Sequence, residues 1–266
     1  MKTRLLVLGF AALSLSTAPA TAALAIFGDG GDELQGALND ITVGGVSSVD
    51  VRTDALSESD DPYWGIDGSG GTVNTISIEH AAWNYYNSFG IYDAANPANR
   101  VQIFDGSAYV GSLALVSIWA DGSVFVNFTD TYVDFAGNLF GYYLDSRNGH
   151  PDWTGGLWYS DTSLNADRMD HMHAYQGLNI DTIQIGSLSP GVWSSAEYLL
   201  AFEDLHLMHW GNQDDITVRP PEWGDTEPNF SDFVVMVDSV PVPVPGAVLL
   251  GLLGLGAAGL KLRKHA

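Results

Sequence analysis

The sequence predicts an all-β protein with short helices, folded as a β-sandwich or jelly-roll-like body. Three observations lead there. Short runs rich in Val, Ile, Phe and Tyr recur between clusters of Gly, Asn, Asp and Pro, the pattern of strands punctuated by turns. Asp-Gly pairs stand where such runs stop, and Asp-Gly is a hairpin signal because both residues accept the positive φ of a tight turn. No long stretch keeps apolar residues at the helical period.

In chain order, the strand candidates are residues 72–78, 101–104, 114–120, 124–128, 182–185, 198–202 and 233–237. Run 101–104 stops at Asp105 and Gly106, and run 114–120 stops at Asp121 and Gly122 just before 124–128 begins. Each pair is read as a hairpin turn. A few helical turns are expected over 79–86. Residues 57–71, rich in Asp, Ser and Gly, read as a domain boundary or a long surface loop. The expected organisation is a signal peptide at 1–22, an N-terminal part or subdomain of the β body at 23–88, an acidic β-sandwich at 89–239, and a sorting segment at 240–266.

With 266 residues and 46% hydrophobic side chains, the chain has enough apolar surface to offset the entropy of folding one large domain or two small ones. Its 32 acidic residues against 10 basic ones give a formal charge of −22, which repels phosphate backbones and excludes nucleic acid as a partner. Five of the basic residues flank the termini, so the body sets five arginines against 32 acids and carries −27. Twenty-five of those acids are Asp, the shorter carboxylate that suits turns and hard-cation ligation. Cysteine is absent, which removes disulfides, thiolate zinc sites and thiol nucleophiles.

The N-terminus sets Lys2 and Arg4 before an apolar run at 5–15 and a small-residue stretch ending at Ala20, Thr21 and Ala22. This is the layout of a secretory signal peptide, cut by signal peptidase after Ala22, with Ala23, Leu24 and Ala25 as a second possible site. At the other end Pro241, Pro243, Pro245 and Gly246 lead into an apolar stretch at 247–260, followed by Lys261, Arg263 and Lys264. A helix of about 15 residues rises only about 22 Å, less than the ~30 Å of bilayer hydrocarbon, so a transient membrane segment with its basic tail inside is expected.

This proline turn, glycine-rich apolar stretch and basic tail resemble the PEP-CTERM sorting signal. The resemblance implies recognition and cleavage by an exosortase-like enzyme in bacteria that make exopolysaccharide, with Pro243, Pro245, Arg263 and Lys264 carrying the signal. Val242 or Val244 stands where that family has glutamate. A plain C-terminal anchor is the alternative reading.

The densest acidic constellation comes late. Phe202, Glu203 and Asp204 end one apolar run, while Asp225, Glu227, Asn229 and Asp232 precede another. With residues 166–174 and 89–93, these segments resemble the bacterial family called domain of unknown function 4114, most clearly over 165–238. The resemblance implies an exported, acidic, β-rich module whose carboxylates hold calcium or do chemistry. Glu203 and Asp204 fit its Phe-Glu-Asp strand end, Asp225 its Gly-Asp turn and Asp232 its terminal Asp. Asn229 replaces the family's first Asp and Ser231 its Asn, which predicts weaker calcium attraction. Elementary electrostatics points the same way: carboxylates converging from two strand ends need a cation, and five arginines are too few to serve. The expected Ca²⁺ set is Glu203, Asp204, Asp225, Asn229 and Asp232.

Other residue sets suggest rival chemistries. His171 and His173 in an extended strand would lie about 6.6 Å apart on one face, and His206 and His209 are three residues apart. With Glu203 or Asp170 they suggest a zinc hydrolase. Glu203 and Asp232 are candidates for a glycosidase acid and base by residue type. Trp153, Trp158 and Tyr159, set among glycines, are candidate sugar-stacking residues. The expected function is a non-enzymatic, Ca²⁺-stabilised protein of the cell surface or extracellular matrix, associated with exopolysaccharide or biofilm. The alternative is a secreted metal-dependent hydrolase.

Overall fold

The computed structural model describes residues 31–66, 72–80, 87–147, 156–204 and 229–242. Among them the chain is mainly β. It begins with α1 (Asp32–Ile41), β1 (Trp64–Gly65), β2 (Thr72–His80), β3 (Ser88–Asp93), β4 (Asn96–Phe104), β5 (Leu113–Ile118), β6 (Ser123–Val126) and β7 (Thr129–Asp134). It continues through β8 (Leu139–Asp145), β9 (Leu157–Tyr159), β10 (Met172–Gln176), β11 (Thr182–Ile183), β12 (Gly191–Val192), β13 (Tyr198–Phe202), β14 (Phe233–Val237) and β15 (Val240–Pro241).

The strands pair antiparallel. One sheet runs β15-β1-β8-β3-β4, with β9 also on β8; a second runs β10-β13-β14-β2-β5-β6-β7; β11 and β12 form a small ribbon. The sheets hold together because strand side chains alternate between faces. In β13 and β14 every residue is buried, and the alternation divides them. Tyr198, Leu200, Phe202, Phe233, Val235 and Val237 join Phe89, Val101, Phe140 and Tyr142 of the first sheet in one apolar cluster. Leu199, Ala201, Val234 and Met236 belong to a second cluster with Leu34, Leu38 and Ile41 of α1 and with Val49 and Val51. Phe89 anchors the first cluster: its ring lies 5.1 Å from Phe233, 5.5 Å from Tyr142 and 5.8 Å from Phe202.

Six of the seven strand candidates reappear within a few residues of their expected limits, and 182–185 shortens to β11. Asp121 and Gly122 do close the β5–β6 hairpin, where Gly122 takes φ 96° and a Cβ would fall 2.2 Å from the Phe135 carbonyl oxygen. Asp105 and Gly106 do not. They open the passage from β4 in the first sheet to β5 in the second, with Asp105 Oδ1 accepting from the Ser107 N–H at 2.9 Å. An Asx turn reverses the chain locally but leaves open which strand comes next to it.

Of the turns expected to be helical over 79–86, Glu79 and His80 lie in β2, and 81–86 lies outside the described residues. The helix is elsewhere. In α1, Leu34, Ala37, Leu38 and Ile41 form the buried stripe, Asp32 and Glu33 occupy the first turn where the helix dipole favours acids, and Gly31 enters at φ 78°. Val240 and Pro241, assigned to the sorting segment, pair with β1 as an edge strand, a position that tolerates proline. The signal peptide at 1–22 and the rest of the sorting segment, 243–266, lie outside the described residues.

Candidate metal centre

Two strands end where the acids are. Phe202 of β13 pairs with Met172 of β10 on one side and with Phe233 of β14 on the other. The residues one step beyond that row are His171, Glu203 and Asp232, and the Glu203 N–H donates to the His171 carbonyl at 3.1 Å. Glu203, Asp204 and Asp232 each bring one carboxylate oxygen into a group whose members all lie within 4.8 Å of one another. All three are buried, at 0%, 1% and 3% exposure.

Protein donors hold these carboxylates in place. Asp232 Oδ2 accepts from the Asp204 N–H at 3.0 Å, and Glu203 Oε2 accepts from the Asn229 N–H at 3.0 Å. Asp204 Oδ2 accepts from Asn87 Nδ2 at 2.9 Å. Phe230 takes φ 54°, in the left-handed region that a bulky side chain occupies at a cost of about 1–2 kcal/mol. Its N–H thereby also faces Glu203 Oε2, at 3.5 Å.

The carbonyls of the same strand end are clamped from behind. Trp158 Nε1 donates to the Asp204 carbonyl at 2.8 Å, as does Ser146 Oγ at 3.0 Å. The Trp158 ring stacks on His171 at 3.7 Å and 9°. His171 has Nδ1 at 3.1 Å from the Glu203 carbonyl and Nε2 at 2.8 Å from Asp167 Oδ2. A carbonyl only accepts, so Nδ1 donates; the Asp167 bond then needs a proton on Nε2 or on the carboxyl. Either way His171 is committed to protein partners through both nitrogens.

Beside this row lies a second titratable group. His173 packs its ring 3.9 Å from Phe230, and burial pushes its pKa down to about 3. Its Nδ1 is 3.6 Å from Asp170 Oδ2. Burial, with the Glu58 charge as a smaller cause, pushes Asp170 up to about 7. Burial also raises Asp61, helped by the charge on Asp170.

The expected set is thus assembled in part. Glu203, Asp204 and Asp232 meet; Asp225 lies outside the described residues. Asn229 contributes its backbone, not its side chain. Its Oδ1 accepts from Ser231 N–H and Oγ, both at 2.9 Å, and its Nδ2 donates to Glu33 Oε2 at 2.9 Å. The short Asn side chain is spent on its own turn, as Asx residues commonly are. Glu33, from the first turn of α1, and Asn87, just before β3, carry no motif that marks them in the sequence.

The rival sets come apart. Both nitrogens of His171 are hydrogen-bonded to protein groups, and among the described residues no histidine joins a group of three metal ligands; His206 and His209 lie outside those residues. Glu203 and Asp232 do approach each other, and both are buried. Trp158 is 1% exposed and offers no face to a sugar. Tyr159 is half-buried, with its hydroxyl accepting from Arg100 at 3.1 Å, and Trp153 lies outside the described residues. Ala22, Pro243, Pro245, Arg263 and Lys264 lie outside them as well. Among the described residues no helix is long and apolar enough to cross a membrane.

The chain matches no family model, no curated protein and no solved structure.

Proposed function

We propose that this chain is a non-enzymatic, exported protein of the cell surface or extracellular matrix, with a β body stabilised by Ca²⁺ at Glu203, Asp204 and Asp232. The observation that carries the calcium reading is the three buried carboxylates within 4.8 Å. Like charges this close, out of water, repel strongly unless some stay protonated or a cation joins them. Ca²⁺ accepts six to eight oxygens at about 2.3–2.6 Å, and an all-oxygen donor set suits it better than it suits zinc. Burial of the group favours a resident structural ion over one that meets a substrate. The shared apolar cluster supports reading the two large sheets as a β-sandwich, with the ion at one end of the second sheet.

Export is supported by the order of basic, apolar and small residues at the N-terminus. The proline turn, apolar stretch and basic tail support sorting through an exosortase-like enzyme and an association with exopolysaccharide. The hydrolase alternative draws no comparable support, because both nitrogens of His171 are engaged by protein groups and the carboxylates are buried.

Thermal melting of the purified secreted form, with Ca²⁺ and with chelator, tests the metal. A ligand that binds only the folded state adds about 2.7 kcal/mol when present at 100 times its Kd, so the midpoint should rise by several degrees. Asp232→Asn keeps an acceptor for the Asp204 N–H and removes a charge, and it should abolish most of that rise. A midpoint unmoved by millimolar Ca²⁺ overturns the calcium reading. Mass analysis of the same material tests the termini: a mature chain beginning near Ala23 and ending before the basic tail supports export and cleavage, and an intact 247–266 segment overturns the cleavage.

A further inference from the structure

We infer that Asn87 is a fourth side-chain ligand of this cation, and that the ion thereby ties the two large sheets together. The inference rests on the calcium reading of the acidic triad and adds a residue and a structural task to it. Asn87 is 2% exposed and stands one residue ahead of β3, in the sheet opposite to β13 and β14. Its Nδ2 donates to Asp204 Oδ2 at 2.9 Å, which sets the amide against the carboxylate group. Its Oδ1 is buried and accepts a hydrogen bond from no described residue. A buried amide oxygen without a partner is uncommon in a native structure and calls for a water or an ion.

The orientation of the amide is the one a facing carboxylate oxygen imposes. With only a negative oxygen to face, Asn87 must turn its amino end inward and leave its carbonyl stranded. A half-turn about the last side-chain bond exchanges the two ends and moves nothing else. Once a cation sits among Glu203, Asp204 and Asp232, the carbonyl becomes the favoured end, and Asn side-chain carbonyls are ordinary Ca²⁺ ligands. The stranded oxygen and the three repelling carboxylates are then relieved by one ion. Being neutral, Asn87 extends the donor set without adding to the repulsion, and it comes from 117 residues away along the chain, so the ion bridges β3 to the β13–β14 end.

The test uses the full secreted protein, Ca²⁺ by thermal melting, and Tb³⁺ as a luminescent probe, with Trp158 beside Asp204 as the sensitiser. Asn87→Leu should weaken Ca²⁺ and Tb³⁺ by about tenfold or more. Asn87→Asp is the discriminating variant. As a ligand it should lower the midpoint in chelator and enlarge the Ca²⁺-induced rise beyond the unaltered protein's. If Asn87 serves only as the donor to Asp204, or only holds a water, Asn87→Asp should lower the midpoint equally with and without Ca²⁺, which overturns the proposal. In the unaltered protein the turn breaks the bond to Asp204, so the Asn87 side-chain amide resonances should shift at saturating Ca²⁺; resonances that stay in place overturn it even where a variant fails to fold. A protein that responds to Ca²⁺ while both variants titrate like the parent loses this inference and keeps the triad. A parent that binds neither ion loses both.

Discussion

At the level of single residues, burial works in opposite directions on an acid and a base that lie side by side. Asp170 holds its proton up to about 7 in the folded chain, against an ordinary 3.8. The stability that this contributes is full below the ordinary value and is lost as pH rises through about 7. His173, held down to about 3 from an ordinary 6.5, contributes stability that is full above 6.5 and is lost as pH falls toward 3. In the window between, the unfolded chain protonates the histidine and the folded chain the acid, so the two slopes cancel. Removing one partner exposes the other. Asp170→Asn keeps an acceptor for the Met172 N–H, which Asp170 Oδ1 takes at 3.0 Å. Relative to the parent its melting midpoint should become more favourable between pH 4 and pH 8, and a difference that stays constant or moves the other way would show that Asp170 is ionised throughout.

Residues also decided which candidates of the acidic group take part. Glu203, Asp204 and Asp232 were legible because a carboxylate just past a strand end stays with that end wherever the strand goes. For Asn229, residue type does not disclose which way a short side chain turns. Its oxygen finds the Ser231 N–H two residues on, and its amide finds Glu33.

At the level of elements, α1 shows how far the helical period reaches. Leu34, Ala37, Leu38 and Ile41 are spaced for one face, but ten residues offer too few turns to stand out against a chain full of apolar alternation. Such a helix is marginal alone and is held by what it covers. Here it covers the second face of β13 and β14, through Leu199, Ala201, Val234 and Met236. Leu38 is fully buried in that contact. Leu38→Ala should cost about 2–5 kcal/mol in urea denaturation, and a loss below about 1 kcal/mol would mean that the helix is not docked there in solution.

Two of the strands absent from the sequence reading, β3 and β10, share a cause. β3 is buried at all six positions, and β10 at four of five, because both of their faces are covered. A strand covered on both faces loses the apolar-polar alternation by which it is recognised. Gly90 in β3 adds to this: a Cβ there would fall 2.1 Å from the Val101 carbonyl oxygen, so a residue that usually argues against a strand is required by the close approach of β4.

For the molecule as a whole, the charge is the governing quantity. A formal −22 with few compensating cations favours expansion, and salt screens that repulsion. Raising NaCl from 10 to 300 mM should raise the melting midpoint in chelator, and on the proposed Ca²⁺ reading by less when Ca²⁺ is present. An equal gain under both conditions would separate the general repulsion from the metal centre.

What the amino-acid sequence determined by itself was local: β-rich composition, the positions of seven of the fifteen strands among the described residues, the Asp121–Gly122 hairpin, and the placing of Glu203, Asp204 and Asp232 at strand ends. Strand propensity, turn chemistry and the period of two act over a few residues, so they are written in a few residues. Neighbours were decided by the tertiary structure. It set β2 between β14 and β5, sent the chain at Asp105 from one sheet to the other, and brought Asn87 against Asp204. Pairing across long separations is chosen by which apolar faces close over each other, a property of the assembled sheets that no short window of sequence contains.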